Sequence, residues 1–114
     1  MLTIDRLQSF GADTNDGLSR CLNNEEMYLR LVDMALHDAN FDRLASAVEA
    51  DDRKAAFEAV HAIKGTMANL SLTPLYQAAS EMTELLRAEQ DADYPALLSQ
   101  LLQKRAELLA LQEN

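Results

Sequence analysis

The strongest constraint on the fold is an apolar repeat in the middle of the chain. Between residues 52 and 70, apolar side chains return every three or four residues, which is the period of one helix face. The positions expected to face the core are Ala56, Val60, Ile63, Met67 and Leu70. The 114 residues contain only 3 Gly and 2 Pro, so few positions interrupt a helix. The pattern therefore predicts an all-α protein.

Two short helices are predicted at the N-terminus, over residues 2–10 and 13–22. Gly11 is expected to end the first helix, because glycine readily adopts the conformation that closes a helix. Asp13 is expected to cap the second, because its carboxylate can accept a hydrogen bond from a free amide of the first turn.

Longer helical patterns follow these two. One begins at Glu25 and permits either a continuous helix through about residue 48 or a bend around Asp38–Asn40. Its expected core-facing residues are Met27, Tyr28, Leu31, Met34, Ala35 and Leu36. Further helices are predicted over residues 52–70, 73–89 and 94–111. In the second of these, Thr73 is expected to act as the cap and Pro74 to be the first helical residue.

The short connections favour antiparallel neighbours. The sequence therefore predicts an antiparallel four-helix bundle with one or two short additional N-terminal helices. Residues 1–114 are expected to form a single domain, with the bundle core at about residues 25–112. The initial Met favours a complete protein over an excised domain.

Composition restricts the partners and the compartment. The formal net charge of −9 argues against nucleic acid and anionic membrane, because both bind basic surfaces. No stretch is apolar for long enough to insert into a membrane, and the first residues do not resemble a secretory signal. Cys21 is the only cysteine, so no internal disulfide can form. We expect a cytoplasmic protein.

The central helix also carries a flank of small residues beside a histidine. His61, Lys64, Gly65 and Ala68 have the spacing that brings side chains together on a helix surface. A glycine inside a helix costs about 1 kcal/mol relative to alanine, so Gly65 needs a reason. Either another molecule approaches the backbone beside His61, or another helix of this chain crosses closely there. Imidazole is a good nucleophile near neutral pH, and lysine can attract an anionic group.

The segment His61-x-x-Lys64-Gly65-Thr66, followed by Asn69-Leu70, resembles the signature of histidine-containing phosphotransfer (HPt) domains. These are the phosphohistidine carriers of multistep two-component phosphorelays. Residues 16–20 and 25–31 are similar to the early helices of the family, and residues 72–79 to the segment after its histidine helix. One position departs from the pattern: Ser71 stands where family members usually have a second glycine. That difference concerns the loop geometry more than the chemistry.

The resemblance implies that His61 accepts a phosphoryl group from the aspartyl-phosphate of a receiver domain and passes it to another receiver. It gives Lys64 the role of stabilising the phosphoryl group, and Gly65 and Ala68 that of steric clearance. On this interpretation the protein is a carrier and not an enzyme. We expect it to hold no cofactor or metal stably, with Mg²⁺ present only in the partner receiver.

The expected partners are receiver domains of response regulators, a hybrid sensor histidine kinase, or both. The docking patch is expected around His61, with Leu7, Phe10 and Ala62 as its candidate residues. No long uncovered apolar stripe demands a dimer, so we expect a monomer.

Two other interpretations remain at this stage. A helical adaptor would dock a receiver or kinase through the same patch without being phosphorylated. A bundle metalloenzyme would use Glu58-x-x-His61, but such sites need a second motif of this kind, and His37 has Met34 in place of the required glutamate. His37 lies near a predicted helix C-terminus, where a histidine is favourable through the helix dipole alone. We assign it no function.

Overall fold

The computed structural model describes residues 1–113, and these residues form helices joined by short connections, without strands. The helices, in chain order, are α1 (Ile4–Phe10), α2 (Thr14–Arg20), α3 (Glu25–Leu36), α4 (Asn40–Glu49), α5 (Arg53–Asn69), α6 (Thr73–Arg87) and α7 (Tyr94–Glu113). The prediction of an all-α helical bundle with two short N-terminal helices is confirmed.

Helices α4 to α7 form the bundle. Each packs against its neighbour in the sequence, and α4 also packs against α7, which closes the ring. The start of α6 at Pro74 lies beside the end of α7 at Glu107, as antiparallel packing requires. Because α5 packs mainly on α4 and α6, one of its faces points away from the bundle. This open face carries the candidate site.

The core contains the apolar repeat that the sequence predicts for α5. Val60, Ile63 and Met67 are fully buried, and Ala56 and Leu70 nearly so. Burying side chains of this size contributes about 1.5–3 kcal/mol each, before the cost of ordering the chain. The repeat therefore fixes which face of α5 points inward and, by exclusion, which face is left exposed.

The helical pattern that begins at Glu25 is interrupted, so α3 and α4 are separate helices. The interruption lies at residues 37–39, where the sequence permits a bend. The Asp38 carboxylate accepts a hydrogen bond of 2.7 Å from the Asn40 amide, which satisfies a donor at the start of α4. Helix α3 is tied to the end of α5 by the Tyr28 hydroxyl, which donates a 2.8 Å hydrogen bond to the Leu70 carbonyl.

The predicted core stripe of α3 is only partly correct. Its buried residues are Tyr28, Val32, Ala35 and Leu36. Met27 and Met34 are instead 46% and 61% exposed, and Leu31 is half-buried. Tyr28, Val32 and Ala35 have the same spacing as Met27, Leu31 and Met34, and each follows its counterpart by one residue. The two sets therefore differ by about 100° of rotation on the helix. The apolar period shows that α3 has an apolar side, but it does not decide which of two adjacent sides packs on the bundle.

The capping predictions have mixed outcomes. Gly11 ends α1 in the left-handed region at φ 113°, and the Asp13 side chain caps α2, both as expected. The expected cap of α6 is wrong, because Leu72 occupies the cap position and Thr73 is already helical. None of the helices in residues 1–113 has the length and apolar character needed to cross a membrane.

Candidate functional site around His61

His61 lies in the middle of α5, on the face that the bundle leaves open. Its side chain is exposed, and so are those of Ala62 and Asn69 along the same face. Within residues 1–113 neither ring nitrogen of His61 has a hydrogen-bond partner. The imidazole is therefore accessible to a reacting group from outside, and neither nitrogen is engaged by the described residues.

The imidazole is supported from one side by an aromatic ring. Phe57, one turn earlier in α5, stacks on His61 with 5.5 Å between ring centroids and 26° between ring planes. From α6, the Arg87 guanidinium also contacts Phe57, with its central carbon 5.5 Å from the ring centroid. This stacking restricts the orientation of the imidazole without using its nitrogens. Phe57 is not among the predicted site residues, although its i−4 spacing from His61 indicates the contact.

Lys64 lies on the α6 side of His61, one turn further along α5. Its ammonium is 3.4 Å from a carboxylate oxygen of Glu84, and its side chain is 22% exposed. The other carboxylate oxygen of Glu84 lies 3.5 Å from the Arg87 guanidinium. Two cations and one carboxylate are thus grouped beside the Phe57–His61 stack. Of these three charged residues only Lys64 is predicted from the sequence, because Glu84 and Arg87 come from another helix and no local spacing relates them to His61.

Gly65 is exposed and helical, and it faces open space. A methyl group built at its Cα would meet no other atom within 4 Å. No helix of the described chain therefore crosses closely at Gly65, which removes one of the two explanations that the sequence left open. Ala68, one turn further on, is half-buried and is also too small to cover the imidazole. The backbone beside His61 is therefore accessible.

The predicted docking patch needs a correction. Leu7 is fully buried in the core, so the prediction that it forms part of a docking surface is wrong. The reason is that α1 uses its apolar side to cover the bundle and packs on α7 and α2. Phe10 is half-buried against the core, and its part in a docking surface stays a prediction. Ala62 is exposed beside His61 and stays a candidate.

Exposed and half-buried apolar side chains also lie on α3, next to the C-terminal end of α5. Met27, Leu31 and Met34 follow one another at i, i+4 and i+7 on its outward side, a set that we call the α3 stripe. A shallow groove of about 370 Å³ separates this stripe from α5. Its lining residues are Leu31, Met34, Ala35 and Asp38 from α3, with Thr66, Asn69 and Leu70 from the end of α5.

The turn after α5 explains the departure at Ser71. Ser71 has φ of 55°, in the left-handed region where glycine carries the least strain. Its hydroxyl donates a short hydrogen bond to the Asp16 carboxylate, and its carbonyl accepts a 2.9 Å bond from the Asp13 amide. The hydrogen bond from Ser71, with help from Arg20, lowers the pKa of Asp16 from its ordinary value of 3.8. A serine is thus accommodated at this turn by its contacts with α2.

Among residues 1–113, no three His, Cys, Asp or Glu side chains come together in a group that could hold a metal ion.

Comparison with known proteins gives one match. The family model described as the Hpt domain matches residues 27–113, from the first turn of α3 to the end of α7. Neither the curated proteins nor the solved structures gave a match. The matched segment contains His61, Lys64, Gly65 and Ala68 and leaves α1 and α2 outside.

Proposed function

Because the chain belongs to the Hpt domain family, whose members carry phosphoryl groups in two-component signalling and are not enzymes, we propose that it is a phosphorelay intermediate with His61 as its phosphoacceptor. The donor is the aspartyl-phosphate of a receiver domain, and the acceptor in the next step is the aspartate of another receiver. The observation that supports this most directly is the exposed imidazole in the middle of α5, with both nitrogens unbonded and open space at Gly65 beside it.

The proposed transfer exchanges one bond for another. A neutral ring nitrogen of His61 attacks phosphorus, and the bond between phosphorus and the aspartate oxygen of the receiver breaks. The aspartate leaves as a carboxylate, and the imidazole becomes a phosphohistidine after losing the proton of its other nitrogen to solvent or the partner. Onward transfer is the reverse reaction with a second receiver. Phosphoryl transfer of this kind depends on positioning and on stabilisation of charge.

The residues around His61 supply part of that positioning. The Phe57 ring holds the imidazole, and the Lys64 ammonium can reach the phosphoryl oxygens from the α6 side. Gly65 and Ala68 leave the in-line approach open. We expect Mg²⁺ and the remaining charged groups to come from the receiver, with no cofactor held stably by this chain. Mg²⁺ removal should then stop transfer from a receiver without changing the fold of this protein.

The receiver docks, in this proposal, over the open face of α5 and the α3 stripe. A typical interface buries about 800 Å² on each partner, a disc of about 16 Å radius if it is round. Thr66 and Asn69, which line the groove on the α5 side, lie only about 7.5 and 12 Å beyond His61 along the helix. A receiver with its aspartate at His61 would therefore also cover the groove. The exposed residues of α5 between His61 and Thr66 are the small Ala62 and Gly65, and Lys64 lies on the α6 side.

The function is tested by intact mass after mixing the protein with a panel of phosphorylated receivers and Mg²⁺. The chain has two histidines, which provides a matched control. Wild type and His37→Gln should each gain one phosphoryl group that is acid-labile and alkali-stable, whereas His61→Gln should gain none. If no receiver in the panel phosphorylates the wild type, the carrier proposal fails. In that case the adaptor interpretation requires that His61→Gln still binds its partner and functions.

The docking surface is tested with Met34→Glu. The added charge should weaken transfer from the receiver by raising the receiver concentration needed for half-maximal rate, because apolar contact area is lost and a charge is desolvated. Phosphorylation by phosphoramidate, a donor too small to use the groove, should be unchanged. Ala106→Glu adds the same charge to the exposed side of α7 and should behave as wild type. Equal receiver kinetics for Met34→Glu and Ala106→Glu would exclude the α3 stripe from the interface.

A further inference from the structure

Lys64, the cation closest in sequence to His61 on α5, is already engaged by this chain. Its ammonium is 3.4 Å from one carboxylate oxygen of Glu84, and the other oxygen of Glu84 is 3.5 Å from Arg87. Glu84 is 57% exposed, so its carboxylate is available to solvent and to a docked partner. A phosphoryl group on His61 would have to share Lys64 with this carboxylate.

We propose that Glu84 is a positioning residue that competes with the phosphoryl group for Lys64 and so limits how strongly the site holds a phosphoryl group on His61. This inference rests on the proposed function, because it concerns the same site. It concerns how the stability of the phosphohistidine is regulated. A group that must be passed on should be neither much more nor much less stable on His61 than on the aspartate of a receiver.

The direction of the effect follows from charge. A phosphoryl group carries about −1.5 to −2 charges near neutral pH, so it attracts Lys64 and is repelled by Glu84. With Glu84 ionised, Lys64 has a competing partner and the charges of the two residues cancel. Without that carboxylate, Lys64 would be free to pair with the phosphoryl oxygens, and the repulsion would be removed at the same time. Both changes stabilise the phosphorylated form.

A purely structural role for Glu84 would give a different result. Exposed ion pairs contribute little to folding, so removing this one should change the free energy of unfolding by less than about 1 kcal/mol. The discriminating quantity is therefore electrostatic and is measured on the phosphoryl group itself. A nearby cation favours the dianionic form of that group, which lowers its last pKa, and a nearby anion raises it.

The experiment compares Glu84→Gln with wild type after phosphorylation by phosphoramidate, whose ammonia leaves as the imidazole nitrogen bonds to phosphorus. A ³¹P NMR titration between about pH 5 and 9 covers the second ionisation of the group. The pKa of the phosphoryl group should be lower in Glu84→Gln by about 0.3 to 0.7, the equivalent of a two- to fivefold change. In equilibrium with a receiver, the ratio of phosphohistidine to aspartyl-phosphate should rise by a similar factor.

Glu81→Gln is the matched control. Glu81 is exposed on the same helix, one turn before Glu84, but it lines the groove between α6 and α7. This substitution changes the net charge identically and should leave the pKa of the phosphoryl group at its wild-type value. If Glu81→Gln and Glu84→Gln shift the pKa equally, the effect is one of net charge and the proposal is wrong.

The route through Lys64 is tested by repeating the comparison in a Lys64→Ala background. In that background, Glu84→Gln should lower the pKa of the phosphoryl group by less than half as much as it does with Lys64 present. The reason is that no ammonium is left to release. The difference between wild type and Glu84→Gln should also shrink at about 1 M salt, where exposed charges are screened beyond about 3 Å. An undiminished effect in the Lys64→Ala background would overturn the proposal.

The outcomes separate this inference from the proposed function. If phosphohistidine forms on His61 and its pKa is the same in wild type and Glu84→Gln, the inference about Glu84 fails and the carrier function stands. If neither phosphoramidate nor any receiver phosphorylates His61 in the wild type, the function itself fails.

Discussion

Gly65 and Ser71 form an instructive contrast within α5 and the turn that follows it. Gly65 has an ordinary helical backbone that any residue could adopt, and a Cβ added there would have no packed neighbour within 4 Å. Ser71 has φ of 55°, where glycine would be the least strained residue, yet it carries a side chain that is buried and bonded to Asp16. Each position thus holds the residue type that would suit the backbone of the other.

The difference separates two reasons for choosing a glycine. At Ser71 the strain of a left-handed residue, about 1–2 kcal/mol, is offset by contacts inside the chain. At Gly65 a cost of about 1 kcal/mol is not explained by any close contact with the described residues. A glycine without an internal reason points to a requirement outside the molecule, which in the proposed function is the approach of a receiver to His61.

The largest expected effect comes from filling the space at Gly65. Gly65→Leu should reduce the rate of phosphoryl transfer from a receiver on the order of a hundredfold, as expected when reacting groups are displaced by about 1 Å. The protein itself should become more stable, because leucine is a much better helix former than glycine and its Cβ would have no packed neighbour within 4 Å. Rates of receiver-dependent phosphorylation and urea unfolding curves measure the two effects.

Two comparisons make this prediction specific. Ala106→Leu places the same side chain on the exposed side of α7 and should leave transfer unchanged. Phosphoramidate should still phosphorylate Gly65→Leu at a rate much closer to wild type, because a small donor needs less room. If a receiver phosphorylated Gly65→Leu at the wild-type rate, the partner would not use the space at Gly65.

A smaller change at the same position sharpens the contrast. Gly65→Ala should raise the free energy of unfolding by about 1 kcal/mol, since alanine is the best helix former. Receiver-dependent transfer should still fall, but by less than in Gly65→Leu, because only a methyl group occupies the space. A stabilised Gly65→Ala with unchanged transfer would show that the glycine serves neither stability nor this approach.

Much of the fold was predictable because it depends on the period of apolar residues. The repeat from Ala56 to Leu70 sets the buried face of α5. Gly11 ends α1 and Asp13 caps α2 through their own local conformation and hydrogen bonds. The rotation of α3 was not predictable in this way, since two adjacent sides of that helix are apolar. Which side packs inward depends on tertiary contacts, such as the hydrogen bond from Tyr28 to Leu70.

The site, too, combines residues that local spacing predicts with residues that only tertiary packing brings together. His61, Lys64 and Gly65 lie on one helix, so their spacing was enough to bring them together. Glu84 and Arg87 approach them from α6, and that proximity depends on the register of two packed helices. The burial of Leu7 likewise follows from the way α1 covers the bundle, which its own sequence does not specify.

The smallest expected effect concerns Ser71. Ser71→Gly removes the hydrogen bond to Asp16, relieves the left-handed strain and should leave phosphoryl transfer unchanged, because this turn lies past the site. The hydrogen bond lowers the pKa of Asp16 in the folded state below 3.8. Its contribution to stability is therefore fully present above pH 3.8 and is lost as the pH falls through the lowered value.

Urea unfolding measured from neutral pH down through this acidic range tests that contribution. The free energy of unfolding of wild type should fall more steeply with acid than that of Ser71→Gly. The other consequences of the substitution, relieved strain and a more flexible unfolded chain, do not depend on pH and cancel from the comparison. In an Asp16→Asn background the two curves should run parallel. Parallel curves with Asp16 intact would show that the serine is held at this turn by something other than the carboxylate, and the contrast with Gly65 would lose its physical basis.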